Sequence, residues 1–409
     1  MCPFAKSDHI EFRKPHQLVS EATEHFIMTY RGWDAFERAH GGPDIIDFDL
    51  STFEGLASFN SRREILFELS KLYDQLDGTA NEEEFLRSRV RGSIAYLRAL
   101  MGQQIPFPEY LEHTLGLVPV PFSDEEVENA RAAVIEYLAP FDLILRVEDR
   151  ERFERKLLIH DANEIRKGII GHQELWLRRL RDTGIPVPAD LYFSVQFTQV
   201  DAYWSNWISG SVQKGITLNI NLHARKRYDK GRPLVLCLHE ICGHAVQMSI
   251  WRDLIAEGRL NPACGLTTVH SPEMLANEGL GQVVSELLTD DWVFPPEFHL
   301  SRALQYYTLV ILHNAHLMLY EQAPVENIID YIIDCLPLAD PDTIDYEIRD
   351  RGTSPLFRSY QLSYAIGEQT MMRLIQGLKL PQKRAFFLEL YTRPLTPMQL
   401  SQLADAVSS

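Results

Sequence analysis

The sequence has 409 residues, of which 45% are hydrophobic and 24% are charged, so it can bury a sizeable core and is neither disordered nor fibrous. Its formal net charge of −17 at pH 7 argues against DNA or RNA as the main partner.

The cysteines favour a reducing compartment. There are five of them, widely spaced and without CxxC pairs, which is not the pattern of a disulfide framework. The first residues lack the basic head and apolar core of a signal peptide. No segment reaches the roughly 18 apolar residues that a membrane span needs. We therefore expect a cytoplasmic protein that acts without a membrane partner.

Residues 1–185 are predicted to be helical and residues 186–409 to form the catalytic part, either as two lobes or as one continuous domain. Ser123 and Glu126 form a capping box ahead of apolar residues at helical spacing. The charged, glycine-poor stretch 148–182 is typical of one long helix or two. We expect the N-terminal lobe to form one wall of a cleft.

A short β region follows. Residues 191–200 are rich in Tyr, Phe, Val and Thr, and residues 216–222 alternate strictly between apolar and polar types, which predicts a half-buried strand. From Pro233 onward the chain returns to helix, since proline suits a first helical position. The predicted fold is therefore mainly α with a small β-sheet.

The predicted helix at 232–257 is apolar nearly all round, which is typical of a helix in the middle of a fold. It nevertheless carries His239, Glu240 and His244. Such groups are costly to bury unless they are paired or bind a metal. Two imidazoles and a carboxylate are the ingredients of a catalytic zinc site, in which the glutamate beside the first histidine acts as a base.

The spacing of the two histidines requires a break in this helix. In the usual HExxH motif they are four apart and share one face, whereas here they are five apart. Five residues of a regular α-helix rotate by roughly 140°, so the rings would point in different directions. A π-type bulge would bring them together, and Gly243 is the residue best able to absorb it.

A third ligand is expected from a later helix that begins near Ser271. On it Glu278, Gln282 and Glu286 lie on one stripe. We predict Glu278 as the third metal ligand, with Glu286 or Gln282 orienting a ligand histidine. The competing interpretation is a chance motif with ordinary core histidines. The cost of burying these groups unpaired favours the metal site.

The string HEICGH followed by NEGLGQVVSEL resembles the gluzincin metallopeptidases that carry the HExxxH variant. It is similar to the HEIGTH and QEGLA signatures of the tyrosine carboxypeptidase-like family. HExxGHxxQ, with SYAIGE near the C-terminus, also resembles a large bacterial family of zinc-peptidase-like proteins, which usually write HEGYPGH, one residue longer than here. The likeness covers residues 216–373, and residues 1–185 match nothing. The C-terminal residues in that family's order are Glu347, Arg349, Gln361, Ser363, Tyr364 and Gly367.

The resemblance implies a zinc ion on His239, His244 and Glu278, with Glu240 as general base, in a large two-lobed metallopeptidase-like fold. It also implies a small antiparallel sheet beside the predicted helix at 232–257, which we call the motif helix. An extended substrate would lie on an edge strand of that sheet. Residues 216–222 are placed for that role.

Other residues have two interpretations each. By the same resemblance Tyr364 would donate a hydrogen bond to the tetrahedral oxyanion, and otherwise it is a core tyrosine. His313 and His316 line the cleft or are structural histidines. Three arginines offer a clamp for a substrate carboxylate or form surface salt bridges: Arg349, Arg351 and Arg358. Five aromatic residues line a closed pocket or fill a core: Tyr192, Phe193, Tyr203, Trp204 and Trp207.

The predicted function is hydrolysis of an amide bond, foremost in a peptide, by metal-activated water with Glu240 as base. An alternative is a His2Glu metalloenzyme, with zinc or Fe(II), that acts on a small molecule in biosynthesis. A third is a helical scaffold without activity, which would bind no stoichiometric metal. The expected partner is a peptide or a small amide, and the sequence leaves the oligomeric state open.

Overall fold

The computed structural model describes residues 21–408 except 77, 79, 80, 190, 192, 203, 212–214, 224, 225, 289–291 and 354–357. Within these residues the protein is mainly α-helical with one small sheet, which confirms the predicted fold class. The helices up to residue 185 are α1 Glu21–Ala39, α2 Arg62–Gln75, α3 Asn81–Leu100, α4 Phe107–Leu115, α5 Asp124–Leu138, α6 Arg150–Leu157 and α7 Ala162–Asp182. Those after it are α8 Arg232–Leu236, α9 Val246–Ala256, α10 Met274–Val283, α11 Pro296–Tyr320, α12 Val325–Cys335, α13 Pro341–Thr353, α14 Tyr360–Ile375, α15 Leu380–Thr392 and α16 Pro397–Ser408.

At α5 and in the stretch 148–182 the N-terminal helices lie where the local sequence predicts. The capping box is present at α5, where Ser123 Oγ accepts from the Glu126 backbone N–H and the Glu126 carboxylate accepts from the Ser123 backbone N–H. The charged stretch 148–182 contains two helices, α6 and α7. Between them Leu158 forms a β-bridge with Asp229, just ahead of the motif helix. This bridge ties the first half of the chain to the element that carries the histidines.

The sheet has five short strands in the order β2-β4-β3-β1-β5. They are β1 Phe48–Asp49, β2 Phe193–Thr198, β3 Asn206–Ser211, β4 Gly215–Asn221 and β5 Leu266–Thr267. The expectation of an antiparallel sheet is wrong in part, because β2 with β4 and β1 with β3 are parallel pairs. The other two pairs among the described strands, β3 with β4 and β1 with β5, are antiparallel. The sheet is mixed because β1 comes from the N-terminal region and β2 pairs with a strand that is not its neighbour in sequence.

β4 is not an edge strand, contrary to the expectation for residues 216–222. It pairs along its length with β2 on one side and with β3 on the other. It is also more than half-buried, since Asn219 and Asn221 on its polar face are buried too. Their side-chain amides donate to backbone carbonyls of the preceding segment, Asn219 to Trp207 and Asn221 to Val200. These hydrogen bonds explain why polar side chains alternate in a covered strand.

Two large hydrophobic cores and one small cluster hold together the helices that the structure describes. The main core combines side chains from α1 to α4 and α7 with the sheet, the motif helix, α10 and the C-terminal helices. The second core lies between α5, α6, α11, α12 and α13. Both cores draw on residues from either side of position 185. The division into lobes at that position stays a prediction.

The motif helix is the centre of the main core. It runs without interruption through Arg232–Ala256 and is long and apolar enough to cross a membrane by length and composition alone. However, 94% of its most apolar window is buried inside the protein, as in the core helix of a globular fold. The charged and polar groups that it carries are therefore held in an apolar surrounding.

Candidate metal centre

The middle of the motif helix is a π-helix. The segment Cys237–Ala245 lies between α8 and α9, so a break in α-helical geometry at Gly243 is confirmed, although it extends over nine residues. In a π-helix the hydrogen bond runs from residue i to i+5, so residues five apart lie one turn above each other. His239 and His244 accordingly face the same side, with their Nε2 atoms 3.2 Å apart and their rings at 88°.

Glycines allow the neighbouring helices to come close to this segment. A Cβ atom on Gly243 would lie 2.9 Å from the Cα atom of Gly281 in α10. A Cβ on Gly281 would lie 2.7 Å from two ring atoms of His239. Two residues before Gly281, and on another face of α10, a Cβ on Gly279 would lie 2.9 Å from the carbonyl oxygen of Gly367 in α14. Since real Cβ atoms do not approach so closely, only glycine permits this packing.

Glu278 on α10 joins the two histidines. Its Oε2 atom lies 3.4 Å from His239 Nε2 and 3.7 Å from His244 Nε2. Ligands of one tetrahedral zinc ion, at bond lengths of about 2.0–2.2 Å, lie about 3.3–3.6 Å from one another. The three donor atoms, at 3.2, 3.4 and 3.7 Å, lie within about 0.1 Å of this range, so the predicted ligands fit one such ion.

Glu240 lies beside this set. Its Oε1 atom is 3.8 Å from His239 Nε2, and one donor atom from each of His239, Glu240 and His244 lies within 4.8 Å of the others. Oε1 also accepts a hydrogen bond from the side-chain amide of Asn206 on β3. Because Glu278 is close to both histidines, it suits a metal ligand better than Glu240. Glu240 lies beside the triangle that the other three side chains form.

β3, rather than β4, is the strand that passes the site. Its pairing with β1 is confined to Gly210 and Ser211 among the described residues. Residues 206–209 therefore have no described strand on that side, and they line the cavity at the metal centre. The open strand edge that was expected at 216–222 lies at 206–209 instead.

Tyr360 is a site residue that sequence reasoning missed. Its hydroxyl donates to Oε1 of Glu278, the oxygen that does not face the histidines. Tyr364, one turn later on α14, donates to the Tyr360 hydroxyl at 3.0 Å. The predicted Tyr364 is thus at the site but touches the ligand Glu278 only through Tyr360. The signal that pointed to α14 was the string SYAIGE, which begins three residues after Tyr360.

The ligand side chains are electrostatically coupled. Burial alone would raise the pKa of Glu278, but the charge of His244 and hydrogen bonds from both histidines bring it well below its usual range. Burial alone would lower the pKa of His244, but the carboxylates of Glu278 and Glu240 raise it overall. Glu278 is therefore held in the charged form that a metal ligand requires.

The residues around the ligands differ from those predicted. Gln282 was expected to orient a ligand histidine, but its side-chain oxygen accepts from Arg302 at 2.9 Å and from Gln305 at 3.0 Å. Arg302 also donates to Glu368 on α14 at 2.6 Å, and burial raises the pKa of this carboxyl although the charge of Arg302 opposes the shift. Glu368 is thus linked to Gln282 through Arg302. The corresponding role of Glu286 stays a prediction.

The donor atoms open into a cavity of about 570 Å³. Its walls include Tyr360 and Tyr364, residues 206–209 of β3, and Arg38 with residues 44–48 from the N-terminal part of the chain. A second cavity of about 350 Å³ adjoins it and shares His239 and Glu240. Among the predicted aromatic residues, Trp204 and Trp207 line the first cavity, Phe193 lies on β2, and Tyr192 and Tyr203 lie outside the described residues.

Of the remaining candidate residues, Arg351 lines a cavity and the others make structural contacts. His313 and His316 are buried structural residues, since His313 Nε2 bonds to the Val120 carbonyl and His316 Nε2 to the Arg358 carbonyl. Arg358 lies over the rings of three aromatic residues, Phe107, Tyr110 and Tyr320. Arg349 forms a surface ion pair with Asp345 at 2.9 Å. Arg351 lines the second cavity and donates to Gln361 at 2.6 Å.

Comparison with known proteins shows similarity in fold. No protein-family model matches this sequence, and no curated protein matches it. A solved structure from Colwellia psychrerythraea, described as a “putative lipoprotein”, has a TM-score of 0.54 and 14% identity, covering 84% of this chain and 66% of that one. Another, a “putative lipoprotein of unknown function” from Shewanella oneidensis, has a TM-score of 0.51 and 12% identity, covering 85% of this chain and 73% of that one. This chain thus spans about two thirds of the first protein's length, and at these identities the likeness establishes a shared fold alone.

Proposed function

We propose that the protein is a metal-dependent hydrolase of amide bonds, with zinc held by His239, His244 and Glu278. The observation that carries the proposal is the triangle of donor atoms at the base of a large cavity. Its sides of 3.2, 3.4 and 3.7 Å lie within about 0.1 Å of those expected around one tetrahedral ion. Three protein ligands with a fourth side facing a cavity are typical of catalytic rather than structural zinc sites.

The roles of the side chains follow from their positions. Zinc, when bound, supplies Lewis acidity and lowers the pKa of water toward neutrality. Glu240 takes the proton of the attacking water and passes it to the leaving amine, while Asn206 holds the carboxylate in place. Tyr364, which lines both cavities, donates to the developing oxyanion. The open edge of β3 at 206–209 aligns an extended substrate by backbone hydrogen bonds.

The test is hydrolysis of short peptides and N-acylated amino acid amides by the wild type and by Glu240→Gln. Removal of the base should lower kcat by about 100-fold to 10,000-fold. Metal content should remain that of the wild type, because glutamine replaces no ligand. Glu125→Gln, an exposed glutamate on α5, is the matched control and should behave as wild type. Full activity in Glu240→Gln would refute the assignment of the base.

The same preparations decide which metal is present. Zinc is proposed, and iron in protein purified without added metal would instead favour the small-molecule enzyme with a His2Glu iron centre. Absence of any stoichiometric metal would favour a scaffold without activity. Elemental analysis separates these three outcomes.

We also propose the cytoplasm as the location. Support comes from the cysteines, because Cys237, Cys242, Cys264 and Cys335 are all free thiols, as is usual in a reducing compartment. The descriptions of the two structurally similar proteins point instead toward an association with membranes. Cell fractionation followed by immunodetection of the protein tests the proposal, and recovery in the membrane fraction would refute it.

A further inference from the structure

Two further cavities follow the one at the metal centre, each sharing lining residues with the one before. The second cavity shares His239 and Glu240 with the first. A third cavity of about 300 Å³ shares Leu304, Thr308 and Leu312 with the second. These three residues lie on successive turns of one face of α11. The cavities therefore follow one another along α11, from the metal ligands to the second core.

The third cavity, which we call the inner pocket, has a largely apolar wall. Most of the wall is formed by buried side chains of the second core, among them Leu145, Phe153, Ile332, Leu336, Ile344 and Ile348. Glu154 and Asp340 also line it. The charged residues Arg227, Asp229 and Glu347 line both the inner pocket and the second cavity, so they lie where the two meet. Lys226 pairs with Glu347 there at 2.8 Å. A group that passes this junction thus moves from polar to apolar surroundings.

We propose that the inner pocket binds an apolar substituent of the substrate, while the scissile amide lies at the metal centre. The substrates are then amides with one extended apolar group, either an alkyl chain or a bulky apolar peptide side chain. This assignment of a substrate class rests on the proposed hydrolase function. Both kinds of substituent would bury hydrocarbon in a preformed space, and each methylene that enters it increases the affinity.

The direct test is binding of primary alkanamides, from butanamide to decanamide, measured by isothermal titration calorimetry on Glu240→Gln protein. This variant keeps the cavities and does not consume an amide. Affinity should rise about fourfold with each added methylene until the pocket is filled, and then level off. An affinity that does not change with chain length would overturn the proposal.

Two substitutions at one position change the pocket in opposite directions. Ile344→Trp fills it and should remove the dependence on chain length, whereas Ile344→Ala enlarges it and should move the plateau to longer chains. Asp342→Trp, exposed on the same helix, is the control for the added indole and should behave as the parent. Circular dichroism checks folding, and if the tryptophan variant does not fold, the alanine variant decides. Parental behaviour of folded Ile344 variants would contradict the proposal.

The two proposals fail separately. Chain-length dependence should persist in His244→Ala, because the pocket does not use the metal ligands. If chain-length dependence is found while wild-type protein binds no metal and has no activity, the pocket is supported and the hydrolase proposal is refuted. If metal and turnover are present but the series is flat, the pocket alone is refuted.

Turnover identifies the source of the apolar group. The comparison sets N-octanoylglycinamide against a peptide with leucine beside the scissile bond, each measured relative to N-acetylglycinamide. For the preferred long substrate, Ile344→Trp should lower the ratio of kcat/KM, long over short, by tenfold or more, since several methylenes lose their site at about fourfold each. An unchanged ratio would contradict the proposed pocket.

Discussion

The metal centre and the inner pocket are packed in different ways, and we call the elements around them the metal side and the substrate side. On the metal side the π segment, α10 and α14 meet through glycines, Gly243 with Gly281 and Gly279 with Gly367, so backbone lies directly against backbone. On the other side α11, α12 and α13 are separated by apolar side chains, and an inner pocket of about 300 Å³ remains between them. Donor atoms that must share one ion need this close backbone packing, because displacement by a fraction of a bond length spoils the coordination geometry. A surface that only accommodates hydrocarbon tolerates looser packing through side chains.

The largest effect is expected from one methyl group on the metal side. In Gly281→Ala the new Cβ would lie 2.7 Å from the His239 ring, so the ring must move away from the other two ligands. Zinc affinity should fall by about 100-fold or more, and turnover should fall with it. Competition with a chromophoric chelator measures the affinity.

The control for this change is Gly171→Ala on α7, where nothing lies within 4 Å of the new Cβ. Zinc affinity should be unchanged there, and the protein should be more stable by up to about 1 kcal/mol, the difference in helix propensity. Equal zinc affinity in Gly281→Ala and Gly171→Ala would show that close packing on the metal side has no role in the site.

A smaller effect is expected where a hydroxyl supports a ligand. Tyr360→Phe leaves Oε1 of Glu278 without the donor that orients it. Zinc affinity or kcat should fall by about 10-fold to 100-fold, as is usual for groups that position metal ligands. Tyr364→Phe should lower zinc affinity less, because its contact with Glu278 runs through Tyr360. A larger loss of affinity in Tyr364→Phe would reverse the assigned order of the two tyrosines.

The stability of the protein at acid pH tests the packing next to α10, at His270. His270, in the turn before α10, is buried, with Nε2 at 3.0 Å from Ser93 Oγ and its ring stacked on Tyr96. Burial, and secondarily the charge of Arg89, lower its pKa from 6.5 to about 3. The unfolded chain therefore binds a proton in this window that the folded protein does not. Stability should fall as the pH drops from about 6.5 to about 3, by about 1.4 kcal/mol per pH unit from this residue.

Urea unfolding at several pH values measures this dependence. In His270→Gln the slope of the unfolding free energy against pH in the acid range should be smaller by the equivalent of about one proton. Glutamine offers a hydrogen bond without a titrating group. His40→Gln, at an exposed histidine, should keep the wild-type slope. If both variants keep that slope, His270 is not the group that titrates.

The sequence predicted the metal side better than the substrate side. Burying His239, Glu240 and His244 on an apolar helix is costly, and this cost is visible in the sequence without any structure. Their five-residue spacing required a π-helix, and the structure has one. Glu278 was found because a helix start and an acidic stripe are local patterns. Local chemistry thus indicated which residues would be placed together.

Contacts between distant elements could not be predicted in this way. Asn206 reaches Glu240 from a strand, and Tyr360 reaches Glu278 from a helix far along the chain. A single hydrogen-bonding side chain has no signature in its own segment. The wrong edge strand has the same cause, because alternation in residues 216–222 predicts a strand but not which strands pair on its two sides.

The central claim is that three side chains hold one ion, and metal stoichiometry tests it most directly. Wild-type protein, His244→Ala and the control His172→Ala are purified without added metal, equilibrated with zinc, desalted and measured by elemental analysis. We predict one zinc per chain in the wild type and in the control, and none in His244→Ala. Equal zinc in all three proteins, or none in the wild type, would contradict the account.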